Sequence, residues 1–355
     1  MNAASWVLWI GILVLLVVVA VVVWSTVRMG GARKDAAGEQ PPSEPTHRRV
    51  AVVINPIKFA DVGRVQYQLD ALAETRGWKI DWHETTVEDP GTGQTREATE
   101  NGAEVVCALG GDGTARAVAA GLVDTGVPMG LLPGGTGNLL ARNMEFPIDS
   151  LEQCFLIALE GVDRPIDIGR LSVLPEETQD DPKDYYFLVM AGLGFDASVM
   201  AQAPEKLKSH LGWPAYVVSG ISQLAGHRFE VEVVLDDDLV IHRKVRSILI
   251  GNVGRLQGGV ELLPDAEVDD GTLDAVILAP KGLSGWAAVA LRILTKTRHG
   301  HRRVEHLQCH TMRIRLGGGH HQEVQLDGDP IGPARALKAT VLQGALVLRT
   351  PRTVI

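Results

Sequence analysis

Cysteine is scarce in this chain, and what there is does not pair. Among 355 residues only Cys107, Cys154 and Cys309 occur, far apart and odd in number, so neither a disulfide framework nor a thiolate zinc cluster is written into the sequence. A reducing compartment and buried thiols are the expectation. Positive charge is also short. Lys and Arg total 34 against 43 Asp and Glu, a formal net charge of −9, which excludes the coating of nucleic acid as the main business. The shortage is uneven: residues 1–49 carry five basic and three acidic side chains, leaving about −11 for the remainder. No repeat of solenoid period is present, and no low-complexity tract beyond residues 28–47.

What the sequence does have is one long apolar run. Trp6 to Val27 is 22 uncharged residues, which as a helix spans about 33 Å, enough to cross a bilayer. A cleaved signal peptide is the competing reading, but the leading residues 1–5 contain no Lys or Arg, and the run exceeds a usual signal core. Trp6, Trp9 and Trp24 suit the headgroup levels, and Arg28, Arg33 and Lys34 follow the C-terminal end. The expectation is a single-pass anchor in the cell membrane over 6–27, with everything after it cytoplasmic. Residues 28–47, small, polar and carrying Pro41, Pro42 and Pro45, read as a disordered tether.

From Arg48 the pattern changes to short β-branched runs broken by glycine turns. Strands are predicted at 48–56, 78–86, 103–109 and 128–133, with helices over 64–75, 115–126 and from Leu139 onwards. Alternating strands and helices imply an α/β domain over 48–167 with a parallel sheet, whose ligands collect at the carboxyl ends of the strands. Beyond Asp167 the strands come at hairpin spacing, as in 228–236, 271–280 and 310–318, which predicts an antiparallel β-sandwich over 168–339. One helical stretch, 283–297, interrupts it, and a last strand at about 340–350 is free to return to the first domain.

Two glycine turns carry the chemistry. Gly110-Gly111-Asp112-Gly113-Thr114 lies between a buried strand and a helix, where bare backbone N–H groups and a helix N-terminus suit phosphate oxygens. Alone, it serves equally well as an ordinary turn capped by Asp. A second turn, Pro133-Gly134-Gly135-Thr136-Gly137-Asn138, occupies the same place after the next strand, so two phosphate cradles would line one sheet edge. No Lys follows the glycines as in a Walker A loop, and the spacing is not a dinucleotide fingerprint.

With these turns, the segments Asn55-Pro56, VDRPIDIGRL (162–171), AGLGFDASV (191–199), EKLKSHLGWPAY (205–216), LLPDAEVDDGTLDAVIL (262–278) and VQLDGDP (324–330) stand in one order. From about Arg48 to Arg349 the chain resembles the diacylglycerol kinase catalytic-domain superfamily of lipid kinases, which includes bacterial diacylglycerol kinases and sphingosine kinases. The resemblance implies ATP in a cleft between an α/β domain and a β-sandwich, with a membrane lipid hydroxyl as phosphoryl acceptor. It places Asn55, Pro56, Ile57, Lys58, Phe59, Thr85, Gly110, Gly111, Asp112, Gly113, Thr114, Ala115, Arg116 and Thr136 around the nucleotide. It also implies Mg²⁺ held by Asp270, with the main-chain carbonyls of Glu267 and Thr272 beside it and Asp112 and Asp167 on the metal's waters; one direct carboxylate suits an ion that keeps most of its water. Without the family, 269–274 is a hairpin turn.

Asp327-Gly328-Asp329 takes the place of the family's Asp-Gly-Glu, whose Glu is the base for the lipid hydroxyl. Asp329 is therefore the implied base, one methylene short, a gap closed by a backbone advance of about an ångström or by a relaying water; without the family, 327–330 is a tight turn closed by Pro330. Leu139 stands where many relatives have Asp, Arg116 where many have Asn, and Ile57-Lys58-Phe59 replaces a small Ser-Gly pair. Lys58 meets a phosphate or is simply solvated. Lys206 and Lys208 match a lysine of the phosphate network in relatives, with surface charge the plain alternative. The stretch 281–304 has six basic residues and no acidic one, and either rests on anionic lipid or packs as a helix with a solvated rim. The histidines at 299, 301, 320 and 321 lack a third ligand at useful spacing. The expectation is an ATP- and Mg²⁺-dependent lipid kinase, with an NAD kinase or a non-catalytic nucleotide or lipid sensor as rivals. A homodimer is left open.

Overall fold

The computed structural model describes residues 48–175, 181–194, 228–256, 261–280 and 304–352. The predicted membrane span and tether, the segment with Lys206 and Lys208, the 283–297 helix, His299 and His301 lie outside these residues. Among the described residues no helix is long and apolar enough to cross a membrane.

Arg48–Ile355 forms one compact unit. Its first part is an α/β layer. β1 (Arg48–Ile54), β2 (Trp78–Glu84), β3 (Val105–Gly110) and β4 (Met129–Pro133) lie parallel in the order β2-β1-β3-β4. Val50 to Ile54 and the whole of β3 are buried, as continuous β-branched runs must be in a sheet covered on both faces. Helices supply the cover. α1 (Val62–Glu74) is capped by Asp61, which accepts from Arg64 N at 2.9 Å, and it buries Leu69 and Ala73. α2 (Thr92–Glu100) follows β2, and α3 (Asp112–Leu122) buries Ala117, Val118 and Leu122. α4 (Leu139–Asn143) is one short turn, and α5 (Leu151–Glu160), capped by Ser150, packs Cys154, Phe155 and Ala158 inward. All three cysteines are buried, and burial pushes the Cys107 and Cys309 thiols up to about 12 and Cys154 to about 11.

The second part is the antiparallel sandwich. One layer continues the first sheet. β16 (Ala336–Thr350) runs parallel to β4 at Leu348 and Met129, then pairs along its length with β5 (Val162–Val173) and over its first half with β13 (Thr311–Leu316). β6 (Lys183–Phe187), β8 (Phe229–Leu235) and β9 (Leu239–Val245) complete that layer. The other layer contains β12 (Val304–Cys309), β11 (Leu273–Leu278), β10 (Ser247–Gly251), β7 (Met190–Leu193), β14 (Gln322–Leu326) and β15 (Asp329–Ala334), in that order. Between the layers sit Leu171, Phe187, Val233, Ile250, Ile314 and Leu326. Strands alternating buried and exposed residues, such as β8, give one face to this core and one to water. β5 crosses the boundary expected at residue 167, and β16 reaches from the sandwich to the parallel strands.

Candidate active site

Four parallel strands end on one edge, and each delivers a turn there. After β1, Asn55 uses its side chain to accept from Ile57 N at 3.3 Å while its own N–H bonds Leu109 O at 2.9 Å. This turns Pro56 to Phe59 towards the glycine loops. Thr85, after β2, donates its N–H to Ile54 O at 2.9 Å. Lys58 and Phe59 are the residues of this segment that meet the loops. A Cβ placed on Gly111 would lie 3.9 Å from Lys58 Cε, and one on Gly134 would strike the Phe59 ring.

The two glycine turns interlock. Gly134 N–H bonds Gly110 O at 2.7 Å, and a Cβ on Gly135 would lie 2.7 Å from the Gly111 Cα, so the close approach requires glycine. Asp112 joins them through its side chain, accepting from Asn138 N at 2.9 Å and Leu139 N at 2.5 Å. Burial pushes the Asp112 carboxyl upward, with repulsion from Asp329 in the same direction, against the pull of those amides. The Asp absent at 139 leaves its main-chain role intact: the Leu139 N–H caps Asp112 while its side chain packs on the α/β core. Thr114 is buried under the first turn, and Thr136 is exposed on the second.

The sandwich contributes a hairpin to the same place. Asp327 is buried and accepts three main-chain N–H bonds, from Leu188 at 3.1 Å and from Val189 and Met190 at 2.9 Å. Burial pushes its carboxyl up; Arg116 and the three amides pull it down. Asp327 and Gly328 both take positive φ, 49° and 95°, which turns the chain so that Asp329 emerges two residues later. There Asp329 Oδ2 accepts from Arg116 Nη2 at 2.8 Å, and Arg116 Nη1 donates to Leu326 O. Thus Asp329 and the residues of the first glycine turn, far apart in sequence, share one site. The family resemblance grouped Arg116 with the nucleotide; its two outer nitrogens also hold the hairpin.

The predicted metal turn lies on the same body and is tied to Asp167. Asp167, 1% exposed, accepts from Gly271 N at 2.6 Å and Gly344 N at 2.8 Å, joining β5 and β16 to the turn before β11. Asp270 is exposed, and its Oδ1 accepts from the Thr272 N–H and hydroxyl, both at 2.9 Å. Negative charge accumulates here. Burial first, then Asp270 and Asp265, push Asp274 up to about 6 against a hydrogen bond from Gln308. Asn252 Oδ1 is buried without a partner, on the residue whose Nδ2 bonds Asp167 O at 2.8 Å. The gathering of carboxylates at Asp265, Asp270 and Asp274 suits a hydrated divalent ion. Among the described residues no three ligating side chains cluster, so such an ion would rest on Asp270, the carbonyls of Glu267 and Thr272, and water. Sequence reasoning missed Asn252, whose type gives no signal outside this fold.

Residues 49–171 match the family model described as diacylglycerol kinase catalytic domain, and 189–349 match that of the YegS C-terminal NAD kinase beta sandwich-like domain. The chain is 28% identical to the diacylglycerol kinase of Bacillus subtilis (strain 168), over 79% of this chain and 90% of that one. It is 30% identical to a protein of Pseudomonas syringae pv. tomato named "Probable lipid kinase YegS-like", over 79% and 88% of the two chains. In structure it is similar to a diacylglycerol kinase from Bacillus anthracis str. Sterne, with a TM-score of 0.66, 20% identity and coverage of 87% and 98%. Yeast NADH kinase complexed with NADH shares the fold more loosely, with a TM-score of 0.52 and 11% identity over 86% of this chain and 84% of that one.

Proposed function

The chain belongs to the diacylglycerol kinase catalytic-domain superfamily and is a lipid kinase at that family level, and from that premise we propose that it transfers the γ-phosphoryl group of ATP to the hydroxyl of diacylglycerol or a similar lipid alcohol. The observation that carries this reading is the meeting of Asp329 with the helix that opens the first glycine turn, through Arg116. A base and a phosphate cradle then face one space.

In this reading the interlocked turns 110–114 and 133–138 bind the phosphates through backbone N–H groups, with the N-terminus of α3 and Lys58 adding positive character. Asp112 holds the two turns in register. Asp329 takes the proton of the acceptor hydroxyl as that oxygen bonds the γ-phosphorus. The bond from phosphorus to the β–γ bridging oxygen breaks, ADP leaves, and the proton passes on to water. Catalysis of this kind is chiefly positioning and charge stabilisation. Asp270, Glu267 and Thr272 would hold Mg²⁺, which neutralises phosphate or carboxylate charge when bound. The run 6–27 would tether the enzyme to the membrane that contains its acceptor, with the body in the cytoplasm.

The test is a transfer assay with the full chain, radiolabelled ATP, Mg²⁺, and vesicles containing diacylglycerol, a sphingoid base or phosphatidylglycerol, with soluble NAD as a further acceptor. Label on diacylglycerol is expected. Label on NAD alone, or nucleotide binding without label on any acceptor, overturns the reading.

A further inference from the structure

Arg116 and Asp329 sit on different layers of the molecule, one on α3 and the other at the start of β15, and nothing in the chemistry of a phosphate cradle requires them to touch. They do touch. Arg116 Nη2 donates to Asp329 Oδ2 at 2.8 Å, and Arg116 Nη1 donates to Leu326 O. The acceptors flank one tight turn, Leu326 closing β14 and Asp329 opening β15. The Arg116 side chain is only 19% exposed, whereas that of Asp329 is 56% exposed, so the buried partner is the one that holds. A guanidinium is a planar fork that keeps its charge, and bridging both sides of the turn fixes the direction of the carboxylate as well as its distance.

Asp329 also meets the glycine turn itself. Its Oδ2 lies 3.0 Å from the point where a Cβ on Gly113 would stand, so the carboxylate rests on bare backbone in the first turn of α3. Arg116 and Gly113, three residues apart on α3, thus both meet Asp329 Oδ2.

We infer that Arg116 is the positioning residue of the base: it pins Asp329 Oδ2 and Leu326 O together, so that Oδ1 is the oxygen left to take the acceptor's proton. It acts through Asp329, because its two outer nitrogens donate to the two sides of the turn that carries that carboxylate. This rests on the reading of Asp329 as base.

The experiment is a double-mutant cycle on the full chain with Arg116→Met, Asp329→Asn and the double variant, recording kcat and KM for ATP and lipid. Asp329→Asn is expected to lower kcat by about a hundredfold or more, and Arg116→Met by about tenfold with KM for ATP within about twofold of wild type. The double variant should be no slower than Asp329→Asn alone, because the two residues act as one unit. Arg116→Lys, which keeps the charge without the fork, should recover only part of kcat. A preserved kcat in Arg116→Met, a raised KM for ATP with kcat intact, or losses that multiply in the double variant would each overturn the inference. Asp329→Asn within tenfold of wild type removes the base reading itself, an outcome distinct from the other three. Should Arg116→Met fail to fold by circular dichroism, Arg116→Gln, which retains an amide donor of similar reach, takes its place in the cycle with the same outcomes.

Discussion

At the scale of single residues, the fold places its most costly groups where they aim others. Asp327 is a carboxylate enclosed by the sandwich and held by three amides, and it is not positioned to meet a substrate. Its work is to fix the strained turn from which Asp329 emerges. Asp327→Asn replaces one acceptor oxygen with a donor that must face a backbone N–H. The expected result is a loss of about 2 kcal/mol in urea unfolding, the usual cost of leaving a buried donor unmet, with a fall in turnover because Asp329 loses its footing. An unchanged unfolding midpoint would show that the three amides find water instead. The resemblance implied a role for the neighbour, Asp329, and none for this residue, because a buried anchor and a turn aspartate look alike in one dimension.

At the scale of elements, the same contrast explains which parts were legible. Strands β1, β3 and β4 are short apolar runs closed by glycine or proline, and they stand close to where periodicity placed them. α2 was invisible because its buried residues are Thr95 and Ala98; it has no apolar stripe, and Thr95 bonds its hydroxyl to Gly91 O at 2.7 Å. α4 and α5 read as one helix from Leu139, though Pro147 and the Ser150 cap divide them. The two glycine turns were legible as motifs, but their interlock depends on register between β3 and β4, which pairs Gly110 with Pro133. The metal turn has a testable consequence at this scale. Asp269 is paired with Arg164 at 2.6 Å, so Asp270 is the carboxylate left for an ion. Mg²⁺ at ten times its dissociation constant should stabilise the body by about 1.4 kcal/mol, seen as a rise in the thermal midpoint that Asp270→Ala abolishes and Asp269→Ala retains. A rise that survives Asp270→Ala would move the ion elsewhere.

At the scale of the whole molecule, β16 decides how the body behaves. It pairs with β5 from Leu337–Val173 to Thr350–Val162, and it touches β4 of the parallel strands and β13 of the sandwich. Arg349 clamps its end, bonding Asp163 at 2.6 Å and Ala158 O at 3.2 Å. Arg48–Ile355 is accordingly one compact unit, and every site residue described above belongs to it. Removing residues 1–47 therefore tests the proposed tether apart from the chemistry. A chain beginning at Arg48 should phosphorylate a short-chain, water-dispersed diacylglycerol at the rate of the full chain. Toward long-chain diacylglycerol in vesicles it should lose at least about tenfold in kcat/KM, because the contribution of the proposed anchor is effective concentration at the surface. Equal rates on vesicles would remove the anchor from the reaction and leave the basic stretch 281–304 to bring enzyme and lipid together. A matching loss on the dispersed substrate would instead assign residues 1–47 a part in building the site.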